Sequence, residues 1–125
     1  MEFALPLDEK SVSGTLMAEG TLESRKINVP VERVRTIMKR LLHEKIDLLK
    51  LDIEGAEYGV LRDMLDMGIL PTQILVEFHH GKRKKGRVPV SETKNLVDRL
   101  KGLGYSIFWA SESVRELGLV RRGVA

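Results

Sequence analysis

Two short apolar runs, Ile46–Ile53 and Gln73–Phe78, bracket a stretch whose apolar residues recur at helical spacing, and this arrangement most constrains the fold. In an extended chain Leu48 faces opposite to Leu49 and Leu51, so both faces of the first run are largely apolar. A strand of that kind is expected in the middle of a parallel sheet, covered on each side. Glu54-Gly55 turns the chain, and Ala56, Val60, Leu61, Met64 and Leu65 then form one apolar helical stripe. Gly68 is placed to stop that helix, with Pro71 shortly after. Strand, helix and strand with short joints make a βαβ unit, whose crossover is expected to be right-handed. The fold class is α/β.

The flanking segments read less sharply. Residues 1–23 show weak periodicity, with turn formers at Ser13-Gly14 and Gly20-Thr21, and are expected to be poorly structured, a loop with at most a marginal hairpin. The folded part is then residues 24–125. Lys26-Ile27-Asn28-Val29 reads as a short strand before Pro30. Val31, Val34, Ile37, Met38, Leu41 and Leu42 predict an amphipathic helix with one buried face. A later helix is expected from about Ser91, a good N-cap residue, burying Leu96, Val97, Leu100 and Leu103. Tyr105–Ala110 reads as a third strand of the sheet, and Leu117–Val120 as a short last one.

Composition narrows the classes of function. A chain of 125 residues, 42% hydrophobic, suits one domain with one core and argues against global disorder. No apolar run approaches the roughly 18 residues of a membrane-spanning helix, and the N-terminus lacks the basic and apolar regions of a signal peptide. The absence of cysteine excludes disulfides, thiolate metal sites and a cysteine nucleophile, and fits a reducing, cytoplasmic setting. Net charge is +3, with the positive charge concentrated in Gly81–Arg87. That segment is expected to be an exposed, mobile loop that can steer a phosphate or carboxylate. No aromatic residues are interleaved with it, which argues against nucleic acid as the partner.

In open α/β sheets ligands bind beyond the carboxyl ends of the strands. The first apolar strand ends in Asp52-Ile53-Glu54-Gly55 and the second in Glu77-Phe78-His79-His80. If the two strands are neighbours, carboxylates and an imidazole pair converge at one edge, where Asp52, Glu54 and His79 are the candidates for proton transfer. Each also has a plainer role: strand-end acids are often solvated or cap a helix, and loop histidines are often merely hydrogen-bonded. Glu57 falls in the first helical turn, where a negative charge suits the macrodipole. Lys50 shares a face with Asp52 and Glu54, and a lysine inside an apolar central strand requires a partner, for which Glu77 is the cross-strand candidate. Asp52, Glu54, Glu77 and His79 are an oxygen-rich set suited to a hard cation, but spacing across separate strands is too weak a signal to assign a metal.

The string Ile46-Asp47-Leu48-Leu49-Lys50-Leu51-Asp52-Ile53-Glu54-Gly55-Ala56-Glu57 closely resembles the hydrophobic-Leu-Lys-x-Asp-x-Glu-Gly-x-Glu signature of FkbM-type methyltransferases. Ile74-Leu75-Val76-Glu77-Phe78-His79-His80 is similar to that family's later strand, which ends in Glu-x-His, and Gly104-Tyr105 before the next strand also matches. Thr36-Ile37-Met38 and the Val76–His80 ending are shared with methyltransferase-like animal proteins of the group. The resemblance runs from about Ser24 to Arg121. It implies a partial Rossmann-like class I methyltransferase sheet with flanking helices, S-adenosylmethionine as cofactor, and methyl transfer to the oxygen of a small hydroxyl-bearing substrate.

Carried over to this chain, the resemblance places Asp52 and Glu54 where the fourth strand meets the transfer centre, and Glu77 and His79 at the end of the fifth. Lys50, Gly55 and Glu57 match the signature, and His80 falls in the same pocket region. Such enzymes open with a strand and a glycine-rich turn for the cofactor; here Gly14 and Gly20 stand alone. The chain therefore reads as the C-terminal half of the domain, weak in cofactor binding alone, with a sheet edge along Ile46–Ile53 that invites self-association. The rival reading is a non-catalytic binding or assembly module that uses the basic loop for an acidic partner.

Overall fold

The computed structural model describes residues 2–6, 24–81 and 88–123. The turn formers at 13–14 and 20–21 and the basic segment 82–87 lie outside the described residues. Strand β1 (Glu2–Pro6) pairs antiparallel with β2 (Ser24–Asn28), Glu2 opposite Asn28 and Pro6 opposite Ser24. A strand thus occupies the start of the stretch read as poorly structured. Its partner is about twenty residues away, and local periodicity does not reveal pairing at that separation.

Helix α1 (Val34–Arg40) follows. Its expected buried face is not buried: Val31, Ile37, Leu41 and Leu42 are exposed, and no residue of the helix is buried. The periodicity is present, but a stripe is sealed only where another element packs on it, and α1 is tied to the next helix by an exposed ion pair, Arg33–Asp63 at 2.7 Å. Leu42, with φ of 56°, ends the turn.

The main sheet has four strands in the order β3-β4-β6-β5. Strand β3 (Leu48–Leu51) leads through α2 (Glu57–Asp66) to β4 (Gln73–Glu77), and the two strands pair in parallel, with Leu51 beside Val76. This is the expected βαβ unit, and Gly68, at φ of 72°, stops its helix. Helix α3 (Val90–Gly102) begins one residue before Ser91. Pro89 holds the N-cap position and makes no side-chain cap, so Ser91 does not cap the helix. Strands β5 (Tyr105–Ala110) and β6 (Glu116–Arg121) form an antiparallel hairpin, and β6 slides between β4 and β5, antiparallel to both. The sheet is therefore mixed.

The helices α2 and α3 seal one face. Tyr58, Leu61, Met64 and Leu65 of α2 and Leu96 and Leu100 of α3 pack with Leu51, Ile74, Val76, Phe78, Leu117 and Leu119 of the sheet. Tyr105, also in this core, donates its hydroxyl proton to the carbonyl of Pro71 at 2.5 Å. The alternate residues point to the other face, which stays open: Leu48 is 54% exposed, Phe108 55% and Trp109 52%. This corrects the expectation that β3 is central and covered on both sides. Among the described residues it is an edge strand, and Lys50 is exposed on the open face, so no buried ion pair is needed to accommodate it.

Candidate functional site at the carboxyl edge of β3 and β4

Because β3 and β4 are parallel neighbours, their carboxyl ends lie side by side. The register that sets Leu51 beside Val76 carries Asp52 alongside Glu77, as the alternation pattern predicts. Beyond Asp52 the chain reverses through two left-handed residues, Glu54 at φ of 53° and Gly55 at φ of 107°. Gly55 adopts this region freely, whereas Glu54 stores about 1 kcal/mol or more of strain there. The reversal swings Glu57 back into the edge at the first turn of α2.

Glu57 is fully buried and is the anchor of the cluster. Its Oε2 accepts the Gly55 backbone N–H at 2.9 Å. Its Oε1 accepts the His79 backbone N–H at 2.8 Å and the His79 ring Nδ1–H at 2.8 Å. The carboxylate has no proton to offer, so the ring nitrogen facing it must be the donor. That pairing fixes the imidazole and turns Nε2 toward the acids. Nε2 lies 3.3 Å from Glu54 Oε2, 4.0 Å from Asp52 Oδ1 and 4.0 Å from Glu77 Oε1. Burial, reinforced by the negative charge of Asp52, raises the Glu77 carboxyl above its ordinary range, while His79 pulls it down.

His80, one residue on, is not brought to this cluster. Strand alternation turns it to the helix side, where it is buried and its Nδ1 meets Thr93 Oγ1 at 2.9 Å. Thr93 Oγ1 in turn lies 2.7 Å from the Tyr58 hydroxyl. Burial raises the Tyr58 phenol above its ordinary range. Tyr58 and Thr93 carried no sign of this role in sequence, because they sit 35 residues apart on different helices.

The acidic edge opens into a groove of about 310 Å³ on the open face, lined by Lys50, Asp52, Leu75, Glu77, Phe108 and Trp109 among others. A bulge between Ile107 and Trp109 breaks the alternation of β5, so both Phe108 and Trp109 reach this groove. Phe108 seats over Gly118, where a Cβ would stand 2.6 Å from the ring. The two aromatics were read only as strand residues, since a bulge has no local signature here.

The sequence profile of the methyltransferase FkbM domain matches residues 3–107. The match begins well before the signature strand and closes within β5. Comparison with curated proteins and with solved structures gives no match.

Proposed function

Starting from the family to which the profile match assigns this chain, the FkbM methyltransferases, we propose that it serves S-adenosylmethionine-dependent methyl transfer to the hydroxyl oxygen of a small molecule. The observation that carries this reading is the edge cluster. The buried Glu57 holds His79 so that Nε2, Asp52 and Glu54 share one small volume at the end of two parallel strands.

In such a transfer a lone pair of the substrate oxygen forms the new bond to the methyl carbon. S-adenosylmethionine, when bound, would supply that methyl group, its carbon–sulfur bond electrons staying with the sulfur so that a thioether leaves. The hydroxyl proton passes to the Asp52–Glu54–His79 cluster, a role worth about 10²–10⁴-fold in rate. Alignment comes from the strand ends, which are held by the sheet. Lys50 and Glu77 line the adjoining groove and are proposed to contact substrate or cofactor. His80, on the helix side, is proposed to support the edge from behind rather than to touch substrate. The family's glycine-rich cofactor turn has no counterpart in the sequence, which supports reading these strands as the C-terminal half of a Rossmann-like sheet.

Two measurements on the purified chain test this. Calorimetric titration with S-adenosylmethionine is expected to give a dissociation constant weaker than about 10 μM; tighter binding, roughly 7 kcal/mol or more, overturns the half-domain reading. With labelled cofactor at millimolar concentration and a panel of alcohols and phenols, label is expected in an ether oxygen, and His79→Gln is expected to cut transfer about 100-fold. Label on nitrogen or carbon, or transfer indifferent to His79→Gln, overturns the mechanism.

A further inference from the structure

We propose that the groove on the open face binds an organic cation, and that the substrate is an alcohol carrying an alkylated ammonium group. Two kinds of side chain meet in the walls of this groove. Phe108 and Trp109 border it with side chains that are half exposed. The bulge between Ile107 and Trp109 delivers both rings to one side, where regular alternation would turn one of them to the sealed side. An open pair of aromatics costs the fold burial that it could otherwise gain, and it offers a ligand two polarisable surfaces.

The other kind is acidic and comes from three neighbouring strands. Asp52 lies just beyond β3, Glu77 ends β4 and Glu116 begins β6, and all three line the groove. Glu116 stands directly opposite Glu77 in the antiparallel register. Like charges opposed in this way destabilise a sheet, and a cation in the groove relieves them. Burial, then Asp52 and more weakly Glu116, hold the Glu77 carboxyl above its ordinary range against the pull of His79. Among the described residues that line the groove, the three carboxylates stand against one basic group, Lys50.

Rings and carboxylates make different demands on a ligand. A neutral apolar group suits the rings but leaves the carboxylates desolvated beside one another. A small hydrated metal ion suits the carboxylates and gains little from the rings. An alkylated ammonium carries its charge inside an apolar shell and satisfies both. Asp52 belongs to the groove and also to the edge cluster, 4.0 Å from His79 Nε2. A cation seated against the rings therefore brings a hydroxyl on the same molecule to the proton-accepting groups. That the bound cation is the substrate rests on the methyl-transfer reading above; the binding does not.

Trp109 is the one tryptophan of the chain, so its fluorescence reports on the groove directly. The whole purified chain is titrated with choline and, separately, with the neutral isostere of choline in which carbon replaces the charged nitrogen. Choline is expected to change the Trp109 emission with a dissociation constant of about 1 mM or tighter. The neutral isostere is expected to bind about tenfold more weakly or worse. Glu116→Gln and Phe108→Leu, both on exposed side chains outside the core, are each expected to weaken choline about fivefold or more with circular dichroism unchanged. Glu116→Gln should leave the affinity for the neutral isostere where it was. Equal binding of the two alcohols, emission unchanged up to about 20 mM choline, or variants that bind choline like the parent, overturns the proposal. Competitive displacement of choline by S-adenosylmethionine also overturns it, since the groove would then receive the cofactor's sulfonium. In the transfer assay, label on neutral alcohols but not on ammonium alcohols overturns the substrate assignment alone. Label on no alcohol overturns the transfer reading and leaves the measured binding of choline intact.

Discussion

His79 and His80 are consecutive, yet they belong to opposite sides of one sheet, and the contrast between those sides organises the molecule. His80 joins the sealed side, where α2 and α3 cover the strands and its ring meets the hydroxyl of Thr93. His79 joins the open side, where its ring sits among the carboxylates of Asp52, Glu54 and Glu77. The sealed side contains the Tyr58–Thr93–His80 hydrogen bonds and close-packed apolar groups. The open side gathers negative charge and half-exposed aromatics. Stability therefore resides on one side and reactive chemistry on the other, with Glu57 reaching from the core side to hold the reactive ring.

The largest effect should come from comparing aromatic truncations. Phe78→Ala, at a fully buried position, is expected to cost about 3–5 kcal/mol of unfolding free energy. Trp109→Ala on the open face should cost less than about 1 kcal/mol, because much of the ring is already in water. Urea denaturation of the two variants measures both; equal losses would mean the open face is covered after all.

Next come the two hydrogen-bond anchors. Thr93→Val removes the hydroxyl that His80 and Tyr58 share and is expected to cost about 1–3 kcal/mol while leaving the His79 ring signals unchanged by nitrogen NMR. Glu57→Gln should cost a similar amount, about 1–3 kcal/mol, and should alter the Nδ1 and Nε2 shifts of His79. An undisturbed His79 tautomer in Glu57→Gln would break the distinction between the two sides.

The smallest effects are in pH dependence, and the two sides should differ in where they titrate. Burial raises the phenols of Tyr58 and Tyr105 above 10.0, so the folded chain holds these protons more tightly than the unfolded chain. Their contribution is complete below pH about 10 and is lost as pH rises through the folded values. Thermal unfolding of Tyr105→Phe should show a shallower alkaline decline than the parent. Glu77 is raised above 4.5 by burial and by Asp52, so its contribution is complete below that value and is lost as pH rises through the folded one. The change is small, because the side chain is 37% exposed, and Glu77→Gln should remove it.

Much of the edge was legible because it rests on local rules. Period-two alternation puts Asp52 and Glu77 on one side of their strands, and the βαβ pattern makes those strands parallel neighbours. The position of His79 two residues beyond Glu77 follows from the same alternation, whereas the reading that put His80 in the same pocket is overturned by its turn to the helix side. The anchoring by Glu57 was legible only in part. Its place in the first helical turn is local, but its reach to His79, 22 residues on, depends on how the Glu54-Gly55 reversal sets α2 against β4.

By itself, then, the sequence determined the type and order of the elements around the edge, the residues at each strand end and the side of the strand to which each belongs. These follow from backbone periodicity and turn chemistry, which act over a few residues. Tertiary structure alone decided that β6 enters between β4 and β5 and that, among the described residues, β3 stands at an edge and the stripe of α1 stays uncovered. It alone brought Phe108 and Trp109 to the groove and set the Thr93 hydroxyl against His80. Those outcomes depend on which distant surfaces meet, and the free energy of burying one surface against another is not encoded in the spacing of either.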